Sequence, residues 1–531
     1  MASKTRNLFT NAISLTATAL SIRLVSVIFN VYIANKAGNE AMGLFSLLGS
    51  VYAFSITVAC ASINLGTTRL VADAVGLGDG NLALRSVKKA LSICTITSLL
   101  SGLILFSFSN TIAKDLLGDI RAASSLKILA TTLFPVSICS CLTGYFTAVR
   151  RVKLNASFQI VIQLVKIGIT VCFLMLFGDL DPESACVALV LGSASAEFIS
   201  LVITFLLYLY DRKKLLLITN IEKTDCRSSI KQSITKKLLL ITLPVTVSAC
   251  VRSGLSMFQH ILIPRGLAAS GKGWSEALSS YGALHGMALP LILFPSAFIA
   301  AFAGLLIPEI SECCVQGNSS RLSRVSYRAL GMALMFSIGI SGIMLFYSNE
   351  LGSLIYKSDE VARYIRILAP LIPIMYIDGA VDAILKGSGH QVYSMNVNIA
   401  DTFTACLFAL FLIPKIGILG YIISIYATEI LNTTLSLMKM ISVSRIKVRV
   451  FHQIAMPIIC IVGATNLSNL ILHVLPLDIG DVANLTLGVI LTAIIYCVLL
   501  NLTHTIGKDE KEFLNAALLS ERQYAEKYKN V

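Results

Sequence analysis

The sequence predicts an all-α membrane protein with fourteen transmembrane helices, and three observations support this. The 531 residues are 56% hydrophobic and only 14% charged, with a mean hydropathy of +0.79. Soluble domains carry about 25% charged residues, so this chain has too few charges to cover a water-soluble surface. Apolar runs of about 20 residues, the length that spans a bilayer core, recur along the chain. Because backbone groups in lipid must bond internally and these runs are too long for barrel strands, helices are predicted.

Fourteen apolar runs are long enough to span the bilayer. The predicted helices, numbered 1 to 14 in chain order, are Phe9–Ala34, Met42–Leu65, Leu91–Ala113, Ile128–Val149, Ala156–Phe177, Ala185–Leu209, Leu238–Ile263, Leu278–Ile307, Ala329–Phe346, Ile365–Ile384, Ser394–Ile413, Ile416–Met438, Phe451–Leu475 and Val482–Leu502.

Basic residues fall mainly on one side of this arrangement. With the N-terminus inside, the inside segments hold 30 of the 43 Lys and Arg residues, the outside loops hold 10, and three lie within helices. Positive charge in short loops stays cytoplasmic, so both termini are predicted to be cytoplasmic. The net charge of +14 is then mainly a topology signal. We therefore expect no nucleic acid as a partner.

The order of the runs predicts five segments. Residues 1–210 form an N-terminal six-helix bundle, and residues 238–440 form a second one. Residues 211–237 are a basic cytoplasmic linker, and residues 441–507 contain helices 13 and 14. Residues 508–531 are predicted to form a cytoplasmic amphipathic tail, which lies either on the anionic inner leaflet or in solvent.

The two bundles contain matching residues, which indicates an internal repeat. Helix 1 matches helix 7 at a separation of 229 positions, and helices 4 and 5 match helices 10 and 11 at a separation of 235. The matched pairs are Arg23/Arg252, Phe29/Phe258, Asn30/Gln259, Lys36/Arg265, Pro135/Pro370, Gly144/Gly379, Arg151/Lys386 and Lys166/Asp401. Repeats of this kind place the substrate near the bilayer midplane, between the halves.

Charged residues within the helices are candidates for the site, because a charge there costs about 2.5–3.5 kcal/mol unless it faces a cavity or a partner. Arg23 and Arg252 occupy equivalent positions, and guanidinium groups bind phosphate through two parallel bonds. The alternative is a structural ion pair with an acid such as Asp378. Lys166 either pairs with its repeat equivalent or serves a proton or sodium step.

Neutral polar residues also lie within the helices. Asn30 and Gln259, which are equivalent in the repeat, are predicted to line a path for a sugar. Hydrogen bonding between helices is the alternative for both.

Five acids are candidates for coupling transport to an ion. Asp378 and Asp382 lie four residues apart on helix 10, and two close carboxylates favour binding of a proton or cation. Asp401 lies on helix 11. Glu197 and Glu429, on helices 6 and 12, are weaker candidates, for which hydrogen bonding between helices is the default.

No sequence motif indicates an enzyme. The chain contains no phosphate-binding P-loop, no His-Glu-x-x-His and no nucleophile elbow. Its cysteines and histidines lack metal-ligand spacing. We therefore expect a transporter with no catalytic residue, metal or cofactor, coupled either to the membrane potential or to a proton or sodium gradient.

Several stretches resemble the stage V sporulation protein B branch of the multidrug/oligosaccharidyl-lipid/polysaccharide (MOP) exporter superfamily, which includes lipid II flippases. The resemblance covers nearly the whole chain. It is carried by Pro264, Glu276-Ala277, Tyr281-Gly282, Pro290-Leu291, Pro295 and Ile307–Ser311, by Met375–Asp378, Leu385–Gly387, Gln391 and Asn398–Asp401, and by Pro414, Gly417, Gly420-Tyr421, Glu429 and Asn432.

The resemblance implies two six-helix bundles in a V shape plus two C-terminal helices, with alternating access in a bacterial cytoplasmic membrane. It implies a polyprenyl-pyrophosphate-linked saccharide as cargo and a groove for the lipid tail at helices 13 and 14. Partners would be this cargo, membrane lipids and cell-wall synthesis enzymes, in peptidoglycan or polysaccharide synthesis or in sporulation. Lipid II flippases use cavity arginines, as Arg23 suggests. Helix 2 here has no interior arginine, which does not favour lipid II itself.

Three other functions are open at this point. A multidrug/cation antiporter of the same fold would have acids dominating the N-terminal half of the cavity, whereas helices 1 and 7 each carry an arginine. A membrane glycosyltransferase would need catalytic residues in long outer loops, and the predicted outer loops are short. A non-transporting scaffold in wall or spore assembly differs from a flippase only in activity.

The predicted orientation is testable by cysteine labelling. In a background without the native cysteines, single cysteines at Asp181 and Asp478 should react with a membrane-impermeant maleimide in intact cells. A cysteine at Ser229 should react only after permeabilisation, because the basic linker is predicted to be cytoplasmic. Labelling of position 229 from outside would reverse the orientation.

Overall fold

The computed structural model describes residues 2–60, 62–149, 151–177, 181–221, 234–446, 451–474 and 480–503, and every regular element in these ranges is helical. Thirteen helices within them are long and apolar enough to cross a membrane. The first, Ser21–Gly76, contains predicted helices 1 and 2, since its 56 residues would measure about 84 Å as one helix. Gly38, with φ 80° and ψ 172°, separates the two. The predicted all-α, polytopic fold is confirmed.

The helices that correspond to the fourteen predicted spans are numbered in chain order. They are α1 (2–37), α2 (39–60 and Ile63–Gly76), α3 (Gly80–Ser107), α4 (Ala122–Ala148), α5 (Val152–Leu176), α6 (Pro182–Ile221), α7 (Ile234–Ala269), α8 (274–293 and Ser296–Val315), α9 (Ser319–Phe346), α10 (Asp359–Gly387), α11 (Gln391–Phe411), α12 (Ile418–Ser444), α13 (Phe451–Val474) and α14 (Asp481–Leu502). Short helical turns at 109–117, 348–355 and Ile413–Ile416 lie between them.

Several helices extend beyond their predicted ends. The predicted helix 3 begins at Leu91, but α3 begins eleven residues earlier, where the Asp79 carboxylate accepts a hydrogen bond from the Leu82 N–H at 2.8 Å. α9 likewise begins at an Asn318 cap. Hydropathy marks only the apolar part of a helix, whereas capped charged turns continue into water. α6 also continues into the predicted 211–237 linker, of which residues 222–233, like the 508–531 tail, lie outside the described residues.

Contacts divide the chain into two compact units. The first unit is Lys36–Gly282, and the second unit is Met1–Asn35 together with Ala283–Val531. This grouping differs from the predicted bundles in the placement of α1 and α7. α7 belongs with the first unit because Gly66 on α2 leaves room for the side chains of Leu238 and Thr242. That the predicted segment boundaries divide the chain by function stays a prediction.

The helices of the two units pack in the same pattern. In the first unit, α4 packs on α2, α3 and α6, and α5 packs on α6. In the second unit, α10 packs on α8, α9 and α12, and α11 packs on α12. Gly144 on α4 faces α2, and its repeat equivalent, Gly379 on α10, faces α8. The repeat read from the sequence therefore corresponds to a repeated helix arrangement.

The last two helices attach to the second unit through α9. α13 packs against α14 and against α9. The Tyr496 hydroxyl of α14 donates to the Met335 carbonyl at 2.8 Å, and Gly339 leaves space for that ring. The buried Tyr347 hydroxyl lies 3.1 Å from Thr492 Oγ1 and 3.4 Å from Ser468 Oγ. Buried hydroxyl bonds of this kind fix the two added helices in a definite register.

Two glycines let α2 and the start of α8 touch within the first unit. A β-carbon at Gly43 would overlap the carbonyl oxygen of Leu278, and one at Gly282 would overlap that of Asn39. The repeat relates the two contacts to each other. Leu278 lies 239 positions after Asn39, and Gly282 lies 239 positions after Gly43, so each glycine meets the repeat equivalent of the other's partner. Any side chain at either glycine must push the two backbones apart.

Substituting Gly43 tests this close approach. Gly43→Ala should lower the melting temperature of the purified protein, since overpacking costs about 1–3 kcal/mol. Gly49→Ala on the same helix is the matched control, because a β-carbon there meets nothing within 4 Å. Equal melting temperatures for the two variants would contradict the close packing.

Candidate functional site

Polar side chains within the membrane helices gather at three places in the described residues. In the second unit they lie along α1 and α8, and again among α10, α11 and α12. In the first unit they lie between α5 and α6. A fourth group, which the sequence analysis missed, lies at the ends of helices in the first unit and in the connection between α3 and α4.

α8 is interrupted by prolines, and its free carbonyls bind donors from other helices. Pro290 lacks the N–H that would bond to the Gly286 carbonyl in a regular α-helix, and Asn30 Nδ2 donates to that carbonyl at 3.3 Å. At the break before Ser296, the N–H of Ala297 donates to the Phe294 carbonyl at 3.2 Å and not to the Leu293 carbonyl, as it would in a regular α-helix. The Leu293 carbonyl instead accepts from Ser296 Oγ at 2.6 Å and from Arg23 Nη2 at 3.0 Å.

Arg23 is exposed and uses one of its donors for this bond. A guanidinium has five N–H donors, so most of its binding capacity remains. Asn30 is half-buried, and its Oδ1 has no partner among the described residues. These two predicted site residues therefore lie on the same side of α1, facing the interrupted helix.

Three carboxyl groups in the second unit lie close enough to interact: Asp378 on α10, Asp401 on α11 and Glu429 on α12. Oδ1 of Asp378 and Oδ1 of Asp401 are buried and have no hydrogen-bond partner among the described residues. Asn432 on α12 is only 6% exposed, and its Nδ2 donates to Asp378 Oδ2 at 3.4 Å. Its Oδ1 also lacks a partner there. Buried acceptors without donors are costly, so this cluster favours a proton or a cation.

The other carboxyl predicted on α10, Asp382, has partners for both oxygens. Its Oδ2 pairs with Lys386 one turn along the helix, and its Oδ1 accepts a hydrogen bond from Ser394 on α11. Within the described ranges, no three His, Cys, Asp or Glu side chains are placed to hold one metal ion. The arrangement at Asp378, Asp401 and Glu429 therefore fits a proton or a monovalent cation better than a divalent metal.

In the first unit, Lys166 on α5 lies near Glu197 on α6. The two charges interact, although they form no ion pair within 4 Å in the described chain. Both side chains are half-buried. The sequence analysis left open whether Lys166 pairs with Asp401 or serves a proton or sodium step, and both alternatives stay predictions; the two residues belong to different units.

The remaining candidates are on α7. Arg252 is exposed and Gln259 is half-buried. Neither forms a side-chain hydrogen bond or an ion pair with any residue that the structure describes. Their role as substrate ligands stays a prediction, as it does for the other candidate residues.

A charged group at the ends of membrane helices in the first unit, and in the connection between α3 and α4, escaped the sequence analysis. Arg121 forms ion pairs with Asp119 at 2.7 Å and with Glu40 at 2.9 Å. The only tryptophan of the chain, Trp274, donates its indole N–H to Asp119 Oδ2 at 3.1 Å, and Ser275 Oγ donates to Glu40 at 2.6 Å. These residues come from three stretches that are far apart in the sequence, and no spacing motif links the stretches.

This outer charged group shifts the pKa values of its members. Burial raises the pKa of Asp119, but the hydrogen bonds from Arg121 and Trp274 outweigh it and hold the pKa below its ordinary value. The hydrogen bond with Asp119 raises the pKa of Arg121. Both residues therefore stay charged at neutral pH and stabilise one another.

Comparisons with known proteins agree with this architecture. Residues 8–313 match the family described as Polysaccharide biosynthesis protein, and residues 270–411 match MatE. The chain is 26% identical over 502 residues to stage V sporulation protein B of Bacillus subtilis (strain 168), covering 93% of this chain and 95% of the relative. It is 20% identical over 433 residues to sporulation protein YkvU of the same organism, covering 80% and 92%.

Solved structures share the fold. The lipid II flippase MurJ in an inward closed conformation superposes with a TM-score of 0.66 at 11% identity, covering 93% of this chain and 99% of MurJ. An inward-facing multidrug resistance transporter of the MATE family gives a TM-score of 0.55 at 16% identity, covering 81% and 99%. At these identities the likeness establishes the fold alone.

The matches to the Polysaccharide biosynthesis protein and MatE families, together with the sporulation relative and the shared fold, identify a multi-pass transporter of the MOP superfamily, and the predicted resemblance is confirmed. The chain belongs to the Polysaccharide biosynthesis protein family, whose match covers more than half of it. The solved structures that share its fold are a lipid II flippase and a multidrug resistance transporter rather than enzymes.

The outer charged group gives a pH-dependent prediction. Arg121→Ala should lower the free energy of unfolding at pH 7 by about 1–3 kcal/mol, because Asp119 stays buried without its main donor. Since the folded pKa of Asp119 is lowered, its stabilisation is complete above about 3.9, the unfolded pKa, and is lost as pH falls through the folded pKa. The variant should therefore lose less stability on acidification than the wild type.

Tryptophan fluorescence during thermal unfolding provides the measurement, since Trp274 is itself part of the group. Lys114→Ala is the control, because Lys114 is exposed in the same connection and forms no ion pair with the described residues. Identical acid profiles for Arg121→Ala and the wild type would show that Asp119 contributes nothing.

Proposed function

We propose that this protein is a flippase that moves a polyprenyl-pyrophosphate-linked saccharide across the bacterial cytoplasmic membrane by alternating access. Both termini would be cytoplasmic. The cargo would be a peptidoglycan precursor or another unit of a wall or surface polysaccharide. Membership of the Polysaccharide biosynthesis protein family and the fold shared with MurJ support this proposal.

The observation that carries the proposal is the position of Arg23. A membrane helix normally keeps an arginine away from lipid or pairs it with an acid. Arg23 instead donates to one backbone carbonyl and is exposed, and no carboxylate within 4 Å pairs with it among the described residues. Its remaining N–H groups suit the oxygens of a pyrophosphate, which accept bidentate bonds. Arg252, Lys166, Asn30 and Gln259 are the further proposed ligands.

The carboxyl cluster of Asp378, Asp401 and Glu429, with Asn432, is the proposed place of energy coupling. It would take a proton or a sodium ion, and Asp382 and Glu197 are secondary candidates because both have charged neighbours. The membrane potential is the other proposed energy source. No cofactor is proposed. Membrane lipids would surround the cargo tail, and cell-wall synthesis enzymes would supply or use the cargo.

A multidrug/cation antiporter is the second candidate function. The MatE match over residues 270–411 favours it, because that range contains Asp378 and Asp401. A scaffold without transport activity, acting in wall or spore assembly, is the third. The three differ in what Arg23 does: a flippase for a pyrophosphate needs its charge and shape, whereas the others do not.

Substitution of Arg23 tests the flippase. In proteoliposomes containing a fluorescent undecaprenyl-diphosphate saccharide, Arg23→Lys should reduce transbilayer movement and Arg23→Ala should nearly abolish it, because lysine keeps the charge but loses the planar fork. The amount of folded protein should change little. The Leu293 carbonyl keeps its bond from Ser296, so only one hydrogen bond, worth about 0.5–1.5 kcal/mol, is lost.

Arg363→Ala is the matched control, since Arg363 is exposed on α10 of the same unit and makes no ion pair in the described structure. A drug antiporter would lose no efflux in Arg23→Ala. A wild-type protein that moves neither the lipid-linked saccharide nor a cationic drug would favour the scaffold.

A further inference from the structure

The carboxyl cluster of the second unit has one polar side and one apolar side along its helices. The polar side leads to the connection of residues 388–390, where α10 ends and α11 begins. α12 reaches the same level, because the Tyr393 hydroxyl of α11 donates to the Leu435 carbonyl at 3.1 Å. The Lys439 ammonium of α12 also lies 5.6 Å from the centre of the Tyr393 ring. Three helices therefore border the space between the cluster and this connection.

On α10 the polar side is a stripe of charged residues. Asp378, Asp382 and Lys386 follow one another at four-residue spacing, so they share one face of the helix. Asp378 Oδ1 is buried, the side chain of Asp382 is 25% exposed, and that of Lys386 is 43% exposed. The Lys386 ammonium pairs with Asp382 Oδ2, and Ser394 of α11 donates to Asp382 Oδ1. The stripe therefore leads from the buried cluster to an exposed charge.

α11 and α12 continue the polar side. Asn398 and Ser394 precede Asp401 by three and seven residues, which places them on its face of α11. The Asn398 Nδ2 donates to the Ser394 carbonyl at 2.9 Å. On α12, the buried Ser436 follows Asn432 by one turn. Each of the three helices thus carries polar side chains between the cluster and the 388–390 connection.

The opposite side of the cluster is apolar and closely packed. The residues that share a face with the three acids in this direction are Leu371 on α10, Ala405 on α11 and Ile422 on α12. They are 0%, 3% and 6% exposed. A charge among apolar residues inside a membrane is costly. An ion that moves along these helices therefore has a polar path in one direction only.

The inner end of this path has unused acceptors. Asn432 is only 6% exposed, and its Nδ2 donates to Asp378 Oδ2 at 3.4 Å. The Oδ1 atoms of Asn432, Asp378 and Asp401 are buried and have no hydrogen-bond partner in the part of the chain that the structure describes. Buried oxygens of this kind need a donor or a cation, so the path ends at a place that can hold one.

We propose that the polar side chains form the release route of the coupling cation, with Asp382 as an intermediate binding site and Lys386 as the residue that clears it. The cation passes from the cluster to Asp382 and leaves at the 388–390 connection, which is cytoplasmic in the proposed orientation. The Lys386 ammonium competes for the same carboxylate, so it replaces the departing cation and hinders its return. This inference rests on the proposed coupling at the carboxyl cluster.

Lysine is suited to this role. Its ammonium group is a compact charge with three rotatable donors on a flexible four-carbon stem. It can therefore leave Asp382 and come back without movement of the helix. A purely structural pair between Lys386 and Asp382 makes a different demand, since it would not affect how fast a cation reaches residues deeper in the helices.

Cysteine reactivity in sealed vesicles that contain the full chain without its native cysteines tests the route. Asn398→Cys and Thr404→Cys are a matched pair, because both residues are half-buried and lie three positions from Asp401 in opposite directions. Ser388→Cys identifies the vesicle face that carries the connection. A trimethylammonium methanethiosulfonate added to that face should modify Asn398→Cys about tenfold faster than Thr404→Cys, since a charge avoids the apolar side. Equal rates would overturn the route.

Removing the charge of Lys386 tests its role. In the Asn398→Cys chain, Lys386→Met should speed up the charged reagent about fivefold, as expected for unit charges about 8 Å apart at an effective dielectric constant of about 40. The rate with neutral methyl methanethiosulfonate should stay the same. Lys439→Met is the matched control, because its ammonium lies over Tyr393 rather than at Asp382. If Lys386→Met does not fold, Lys386→Gln provides the same test. An unchanged rate, or equal acceleration of both reagents, would overturn the role of Lys386.

The same variants separate this inference from the proposed function. Relative to Ser388→Cys, modification of Asn398→Cys should slow when sodium replaces choline if sodium occupies the cluster, and on acidification if a proton does. Slowing by neither would overturn coupling at the cluster. Equal rates for Asn398→Cys and Thr404→Cys would overturn the route even where sodium or acid protects.

Discussion

A backbone carbonyl that loses its helical donor inside a membrane must find another donor within the protein, because lipid offers none. This constraint organises the second unit. The prolines of α8 remove N–H groups, and the carbonyls of Gly286 and Leu293 are bonded by Asn30 and Arg23 of α1. The Ile292 carbonyl accepts a bond from the Tyr376 hydroxyl of α10. α1 therefore belongs with the second unit because it completes an interrupted helix, and the same bonds place an arginine in the membrane without a paired acid in the described chain.

Comparing equivalent positions of the two units distinguishes residues that the fold requires from residues that the function uses. Positions that set the distance between helices stay small in both units, as at Gly144 and Gly379, which face α2 and α8. Polar positions at the same register diverge, as at Lys166 and Asp401. Packing depends on volume, which neither unit can change without strain. Charge at a half-buried position can change as long as a partner changes with it, so the polar positions carry the difference between the units.

The sequence was sufficient for the fold because a bilayer permits few structures: apolar length defined the spans, and basic loops suggested their order. It was less informative about neighbours. Hydropathy could not show that α1 and α7 group across the predicted boundary, because this depends on side chains such as Asn30 and on room at Gly66. It placed three acids on consecutive helices but missed Asn432 as a member of their cluster, because only the folded chain shows its bond to Asp378.

Two other parts of the site show how local and distant signals differ. The partner of Asp382 was visible in the sequence, since Lys386 lies four residues later on the same helix. The outer group of Glu40, Asp119, Arg121 and Trp274 was not, because its members come from three separate connections. Contacts within one helix follow from spacing, whereas contacts between loops follow only from the folded chain.

The charges also bear on the direction of transport under the proposed function. A pyrophosphate is anionic, and moving a negative charge outward across a membrane that is negative inside is favourable by about 2.3 kcal/mol per charge for each 100 mV. Return of a cation inward on Asp378, Asp401 and Glu429 is favoured by the same potential. Both half-cycles then run with the potential.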